Sequence, residues 1–217
     1  MNIKILYDNR AAEGFLASWG FSCLLEAEEK ILFDVGWDPT VLLHNMKQFE
    51  INLEDITTIV LSHAHWDHIG ALPAVLSHEK TVYIPKSFSP NLKREISQRA
   101  LLVEVSGKME IAKGINTTGQ LGTGIKEQSL HIETGKGSYI VTGCAHPGLE
   151  NIIRACTPRK YAVLGGFHGF KRFNILENAF MICPCHCTQH TKELQKLYPE
   201  KFRKCAAGCT IELGDLK

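Results

Sequence analysis

The sequence predicts a mixed α/β chain in which two β-sheets pack face to face with helices on their outer surfaces. Three observations carry this reading. Short β-branched and apolar runs recur along the whole 217 residues. Helical spacings are interspersed among them, and no Pro-, Ser- or Gly-rich linker divides the chain. A strand-rich half followed by another, each with helices, lets every sheet bury an apolar face. The length suits one compact domain, and residues 1–217 are read as one.

Taken in order, residues 3–7 read as a strand, followed by a hairpin of 22–26 and 30–33 that turns at Glu28-Glu29. Residues 40–49 space Val41, Leu42, Met46 and Phe49 as a helix does, starting behind Asp38-Pro39. The run 57–61 has the composition and length of a buried strand, and 69–77 reads as a helix. A strand at 81–84, a helix at 92–98 and strands at 101–105, 109–112, 115–118, 129–133 and 138–141 follow. Helices are expected at 148–155 and 191–198, with a strand at 162–164 between them. Residues 211–213 are expected to close the second sheet.

Composition narrows the function classes. Lys and Arg number 24 against 23 Asp and Glu, with no run of four like charges, so a nucleic-acid footprint is not expected. The longest apolar stretches, such as 71–76, fall far short of the ~20 residues of a membrane helix. The first residues meet a charge within a few positions and carry no apolar signal region, so a cytoplasmic protein is expected. Five of the eight cysteines lie between Cys183 and Cys209, and without a secretion signal they are expected as reduced thiols.

The chemistry-bearing signal is His63-Ala64-His65-Trp66-Asp67-His68, four donors where a buried strand empties into a helix. On an extended segment His63 and His65, two residues apart, point the same way and reach one metal. Asp67 and His68 fall at the first helical turn and reach back over the strand end toward a second. Imidazole and carboxylate suit Zn²⁺, and also Mn²⁺ or Fe²⁺. Three more histidines each follow a strand: His146 in Thr142-Gly143-Cys144-Ala145-His146, His168 in Gly165-Gly166-Phe167-His168, and His186 in Cys183-Pro184-Cys185-His186-Cys187-Thr188. One shared site at strand ends accounts for all of them.

With Leu32-Phe33-Asp34-Val35-Gly36 and Gly70, these motifs resemble the metallo-β-lactamase-fold hydrolases over most of the chain. Trp19-Gly20-Phe21-Ser22, Thr142-Gly143-Cys144-Ala145-His146, Gly165-Gly166-Phe167-His168 and His186-Cys187-Thr188 are similar to a branch of dihydropterin (ribofuranosyl)aminobenzene 5'-phosphate synthase-like proteins. The resemblance implies a four-layer αββα sandwich with one or two metal ions at one edge. It implies His63, His65 and His146 on the first ion and Asp67, His68 and His186 on the second. Asp34 would hydrogen-bond a ligand histidine or an ordered water and so fix ring orientation. Most relatives carry a metal-bridging Asp near Gly165-Gly166, and here glycine stands there with His168 two residues on. The expectation is a weaker second ion, with His168 turned inward as a ligand or outward to substrate.

The implied activity is metal-dependent hydrolysis of an ester, lactone or phosphoester by water activated on Zn²⁺. Asp67 would steer that water, and His168 would donate to the leaving group or a phosphate oxygen. Two other readings stay open. One is a transferase joining a pterin-like pyrophosphate to an aminobenzene riboside phosphate, for which Lys171 and Arg172 would gather as an anion site. The other is a non-catalytic metal binder or sensor. A di-iron oxygen-reducing enzyme is set aside, because that branch carries Glu where His65 stands. The partner expected is a small-molecule substrate, phosphorylated or not, with no nucleic acid and no membrane.

Other features receive weaker readings. On a strand Cys183, Cys185 and Cys187 would face one way and His186 the other. With Cys205 and Cys209 they read as small buried residues, or as a further metal or cluster site without zinc-ribbon spacing. Cys144 is expected to line the pocket. Gly119, Gly122 and Gly124 lack the strand-to-helix context of a dinucleotide loop. Residues 14–20, with Phe15, Leu16 and Trp19, form either a flap over the site or a packed N-terminal loop.

Overall fold

The computed structural model describes residues 1–216, and the α/β sandwich expected from the sequence is what it shows. Strands β1 (Asn2–Tyr7), β2 (Ser22–Glu26), β3 (Lys30–Phe33), β4 (Ile56–Val60), β5 (Thr81–Pro85) and β6 (Leu101–Val105) lie in one sheet. A second sheet holds β7 (Met109–Ala112), β8 (Ile115–Thr117), β9 (Leu130–Thr134), β10 (Gly137–Thr142), β11 (Tyr161–Gly166) and β12 (Ala179–Cys185), in the order β12-β11-β10-β9-β8-β7. The last strand, β13 (Thr210–Glu212), corrects one expectation. It pairs antiparallel with β1 and so edges the first sheet, ordered β13-β1-β2-β3-β4-β5-β6, rather than closing the second.

Period-2 alternation assigns the faces. Ile3 and Ile5, Cys23 and Leu25, and Ile31 and Phe33 meet Tyr139 and Val141, Ala162 and Leu164, and Met181 and Cys183 between the sheets. The intervening residues point outward under helices α1 (Pro39–Gln48), α2 (Trp66–Ile69), α3 (Pro90–Ser97), α4 (Leu149–Cys156) and α5 (Thr191–Leu197). Leu42 and Met46 of α1 and Ile96 of α3 cover Leu24, Leu32 and Ile59 on the first sheet. Leu149, Ile152 and Ile153 of α4 and Leu194 of α5 cover Ile140, Val163 and Ile182 on the second. The result is four layers, αββα.

Helix starts follow local chemistry. Asp38 caps α1 by accepting from Thr40 N–H at 2.8 Å, with Pro39 in the first turn, where its missing N–H costs nothing. Ser89 and Pro90 repeat this arrangement at α3. The helix expected over 69–77 does not form. The chain makes the single turn α2 and then a 3₁₀ turn at Leu72–Ala74, because Pro73 cannot donate into a continuing helix. Among the described residues no helix is long and apolar enough to cross a membrane.

Candidate metal centre

Several strands deliver functional side chains to one edge of the sandwich. His63 and His65 follow β4, His146 follows β10 and His186 follows β12. The donor atoms of His63, His65 and His146 lie within 4.8 Å of one another, and so do those of Asp67, His68 and His186. The loops that bring them together are strained. Asp34 (φ 53°), Ala145 (φ 55°), His168 (φ 46°) and His186 (φ 45°) all occupy the left-handed region, which side-chain-bearing residues rarely adopt.

Asp34 organises the first part of the site. Its Oδ1 accepts from Ser62 N–H at 2.6 Å and its Oδ2 from the Ser62 hydroxyl at 2.6 Å. The serine proton is then committed, so the 2.9 Å contact between Ser62 Oγ and His63 Nδ1 has His63 donating. Asp34 Oδ2 also accepts from His68 Nδ1 at 2.7 Å. Both rings therefore carry the proton on Nδ1 and present Nε2 as a lone pair. Gly143 permits this packing, since a Cβ there would lie 2.8 Å from Ser62 Cβ and 3.2 Å from Asp34 Oδ2.

Asp8 and Asn9 do the same for His186. Asp8 Oδ1 accepts from His186 N–H at 2.7 Å. Asn9 Nδ2 donates to the His186 carbonyl at 2.9 Å, which leaves Asn9 Oδ1 to accept from His186 Nδ1 at 3.0 Å. His186 Nε2 is thereby turned to Asp67 Oδ2, 3.1 Å away. Trp19 Nε1 donates to the same oxygen at 2.8 Å while its ring stands edge-on to His186. The flap reading of residues 14–20 holds at Trp19, whereas Phe15 packs on Phe49.

A residue that sequence reasoning missed, Glu127, holds the His146 loop. Its carboxylate accepts from the Thr142 hydroxyl and from the backbone N–H groups of Gly143, Cys144, Ala145 and His146, at 2.9–3.1 Å. The strained loop after β10 thus has its donors satisfied by one buried side chain.

The cysteines depart from expectation in two ways. Cys185 pairs with Cys205 as a disulfide, so the thiols are not all reduced. Cys183 and Cys185 face the inter-sheet core as strand alternation requires, but the positive φ at His186 ends the strand. Cys187 therefore leaves that face and brings its Sγ to 3.3 Å from Cys144 Sγ. Cys144 Sγ in turn lies 3.1 Å from His68 Nε2, deeper in the site than a pocket-lining role implies.

The donor set fits divalent metal ions. Buried His63 Nε2 and His146 Nε2 have no hydrogen-bond partner among the described residues, although such atoms ordinarily do. Burial drives His63 far below the usual imidazole range, lowers His65, and with help from His65 and His168 takes His146 down to about 4. Neutral imidazoles are the form metal ligation requires. Burial opposes charge on Asp67, but His186 and His68 hold its carboxyl below the usual range. Burial likewise opposes a charge on His68, and Asp34 outweighs it, so His68 is raised and an ion at its Nε2 would have to displace a second proton.

The family profile described as the metallo-beta-lactamase superfamily matches residues 21–174. The chain belongs to that superfamily. The uncharacterized protein MJ0448 of Methanocaldococcus jannaschii is 30% identical, covering 90% of this chain and 93% of that protein. From the same organism, the 7,8-dihydropterin-6-methyl-4-(beta-D-ribofuranosyl)-aminobenzene-5'-phosphate synthase is 26% identical over 91% of each chain. The crystal structure of Tm1679, described as a metal-dependent hydrolase of the beta-lactamase superfamily, superposes with a TM-score of 0.82 at 26% identity. That match covers 99% of this chain and 100% of Tm1679. Metallo-beta-lactamase superfamily members are commonly metal-dependent hydrolases.

In this superfamily member the neighbourhood of His146 opens into a cleft of about 340 Å³, lined by His168, Lys171 and Arg172 among others. His168 is exposed, its ring 5.2 Å from that of His146. Among the described residues it joins neither donor group, and it lines the cleft.

Proposed function

We propose that the chain is a metal-dependent hydrolase that turns a metal-activated water on an ester, lactone or phosphoester. The observation that carries this reading is the pair of donor triads, in which Ser62, Asp34 and Asn9 fix the Nδ1 atoms of His63, His68 and His186. In it His63, His65 and His146 would hold one ion and Asp67, His68 and His186 the other, with Zn²⁺ the ion best matched to the donors. When bound, the ions supply a water of lowered pKa and polarise the substrate oxygen. Asp67, kept anionic beside His186, would orient a water held there. His168 stands at the cleft to contact a leaving group or phosphate oxygen. A second flank, beside Asp67 and His186, carries exposed Trp19, Trp37 and Trp66 as an apolar shelf. The substrate suited to both flanks is a small molecule with an aromatic or apolar part and an anionic part.

A second reading is favoured by one specific observation. Lys171 and Arg172 reach the cleft beside His146, as a transferase handling phosphorylated substrates would need, and the synthase relative spans nearly the whole chain. The test uses zinc-, manganese- and iron-loaded protein with a panel of ester, lactone and phosphodiester substrates. A parallel assay supplies a dihydropterin pyrophosphate with an aminobenzene riboside phosphate. Hydrolytic turnover, with a raised KM for phosphorylated substrates in a Lys171→Ala/Arg172→Ala variant, is the expected result. Condensation without hydrolysis would replace the hydrolase by the transferase. Fully loaded protein inert in both assays would leave a non-catalytic metal binder.

A further inference from the structure

The end of β11 has no room for a bridging carboxylate. A Cβ at Gly165 would overlap the Thr142 carbonyl oxygen, and one at Gly166 would lie 2.5 Å from the Gly143 carbonyl oxygen and 2.6 Å from Cys187 Sγ. Sulfur already fills the direction in which a side chain of residue 166 would project. Behind it, at 3.3 Å, sits Cys144 Sγ, only 4% of that residue being exposed.

Cys144 stands beside both donor triads. Its Sγ forms one group with the donor atoms of His63 and His68, and another with those of His186 and Cys187, each group spanning no more than 4.8 Å. His63 belongs to the first triad, and His68 and His186 to the second. The nearby His63 Nε2 lacks a partner although the residue is wholly buried. A sulfur so placed can touch an ion in either triad.

We propose that Cys144 supplies a thiolate bridge between the two metal ions, standing in for the carboxylate that Gly165 and Gly166 lack, with Cys187 packed against it to hold its sulfur in place. The proposal rests on the metal-binding reading above. On loading, the Cys144 S–H bond breaks, the proton passes to solvent and sulfur–metal bonds form, with no change of oxidation state. A metal-bound thiol is deprotonated outright, and its negative charge lies between two dications. The expectation of a poorly held second ion is then reversed, since an anionic shared donor is present after all. Thiolate in a nitrogen-rich set favours Zn²⁺ or Co²⁺ over Mn²⁺.

Cobalt titrated into metal-free protein tests this without relying on turnover. Wild type should bind two Co²⁺ per chain, develop sulfur-to-cobalt charge-transfer absorption, and show the diminished electron paramagnetic resonance of a coupled pair. Cys144→Ser and Cys144→Ala should lose the absorption and the coupling and bind the second ion at least tenfold more weakly, with the first little changed. Cys187→Ala should keep the absorption. Circular dichroism of the metal-free variants checks that they are folded, and if the Cys144 variants are not, Cys187→Ala decides the matter: keeping both absorption and coupling supports the bridge, and losing them overturns it. Two ions bound without the charge-transfer absorption would overturn the bridge and leave the metal centre standing. Absorption retained in Cys144→Ala but lost in Cys187→Ala would also overturn it, as would retention in both variants, which would exclude either of these two sulfurs as the required ligand. Wild type that binds no cobalt would instead refute the metal centre itself.

Discussion

The Asp34 carboxylate meets the His68 ring at 2.7 Å, with neither side chain accessible to solvent. Through Ser62 the same carboxylate also sets the tautomer of His63. One buried anion thus orients a histidine from each triad. Asp34→Asn keeps the shape, removes the charge and offers an amide where two acceptors are needed. Both ions should bind about 10–100-fold more weakly, measured by competition with a chromophoric chelator. Unchanged affinity would show that the rings are held by packing alone.

His63→Ala and His146→Ala should lose bound metal and remain folded, because the core lies between and outside the sheets rather than at their edge. Metal content by mass spectrometry and far-ultraviolet circular dichroism check the two halves of this statement. A structural zinc site can supply ~10 kcal/mol or more of folding free energy. Unfolding of both variants at ambient temperature would therefore mark the centre as structural.

Glu127→Gln replaces an acceptor-only group with one that must turn an NH₂ toward donors. The loss should be about 2–4 kcal/mol in urea unfolding of metal-free protein, as buried hydrogen bonds to a charged group go unmade. A destabilisation below ~0.5 kcal/mol, within the range of ordinary surface changes, would mean that the loop after β10 does not depend on this carboxylate.

His131, away from the metal centre, makes one contribution to the pH dependence whose sign can be worked out. Its Nε2 lies 3.0 Å from Ser138 Oγ, and burial together with Lys108 lowers its pKa, against the pull of Glu133. Between the unfolded value of about 6.5 and the lower folded one, the unfolded chain takes a proton that the folded chain refuses. The contribution is therefore favourable above pH 6.5 and falls as the medium is acidified, by at most about 1.4 kcal/mol per pH unit. Urea midpoints of wild type and His131→Gln should draw together between pH 7 and pH 5. A gap that stays constant or widens on acidification would reverse the assigned direction.

What was legible in the sequence is what proximity in the chain encodes. His63, His65, Asp67 and His68 announce themselves because one strand end and one helical turn hold them all. The strand runs that hold Ile3, Cys23, Phe33 and Val141 were legible as well, and the structure buries these side chains between the sheets. Glu127 could not be read this way, since it lies 19 residues before the His146 amide it binds, and neither could Asn9, 177 residues from His186. Periodicity gives a strand its faces but not its neighbour, which is why residues 211–213 were assigned to the wrong sheet edge. The expectation for Cys187 failed on one torsion, the positive φ of His186, which alternation presumes absent.

All three tryptophans of the chain gather at one place. Trp19 donates to Asp67 and touches His186, Trp66 sits between His65 and Asp67 in sequence, and Trp37 stands edge-on to Trp66 at 5.3 Å. Each is more than 40% exposed, and the inter-sheet core contains no tryptophan among the described residues. The intrinsic indole emission of this protein therefore originates at the rim of the metal centre and nowhere in its interior. Heating or denaturant will be reported by that emission only through changes at the rim. Ion loading and substrate docking should be visible optically in unlabelled protein, with Trp19→Phe silencing the channel closest to Asp67.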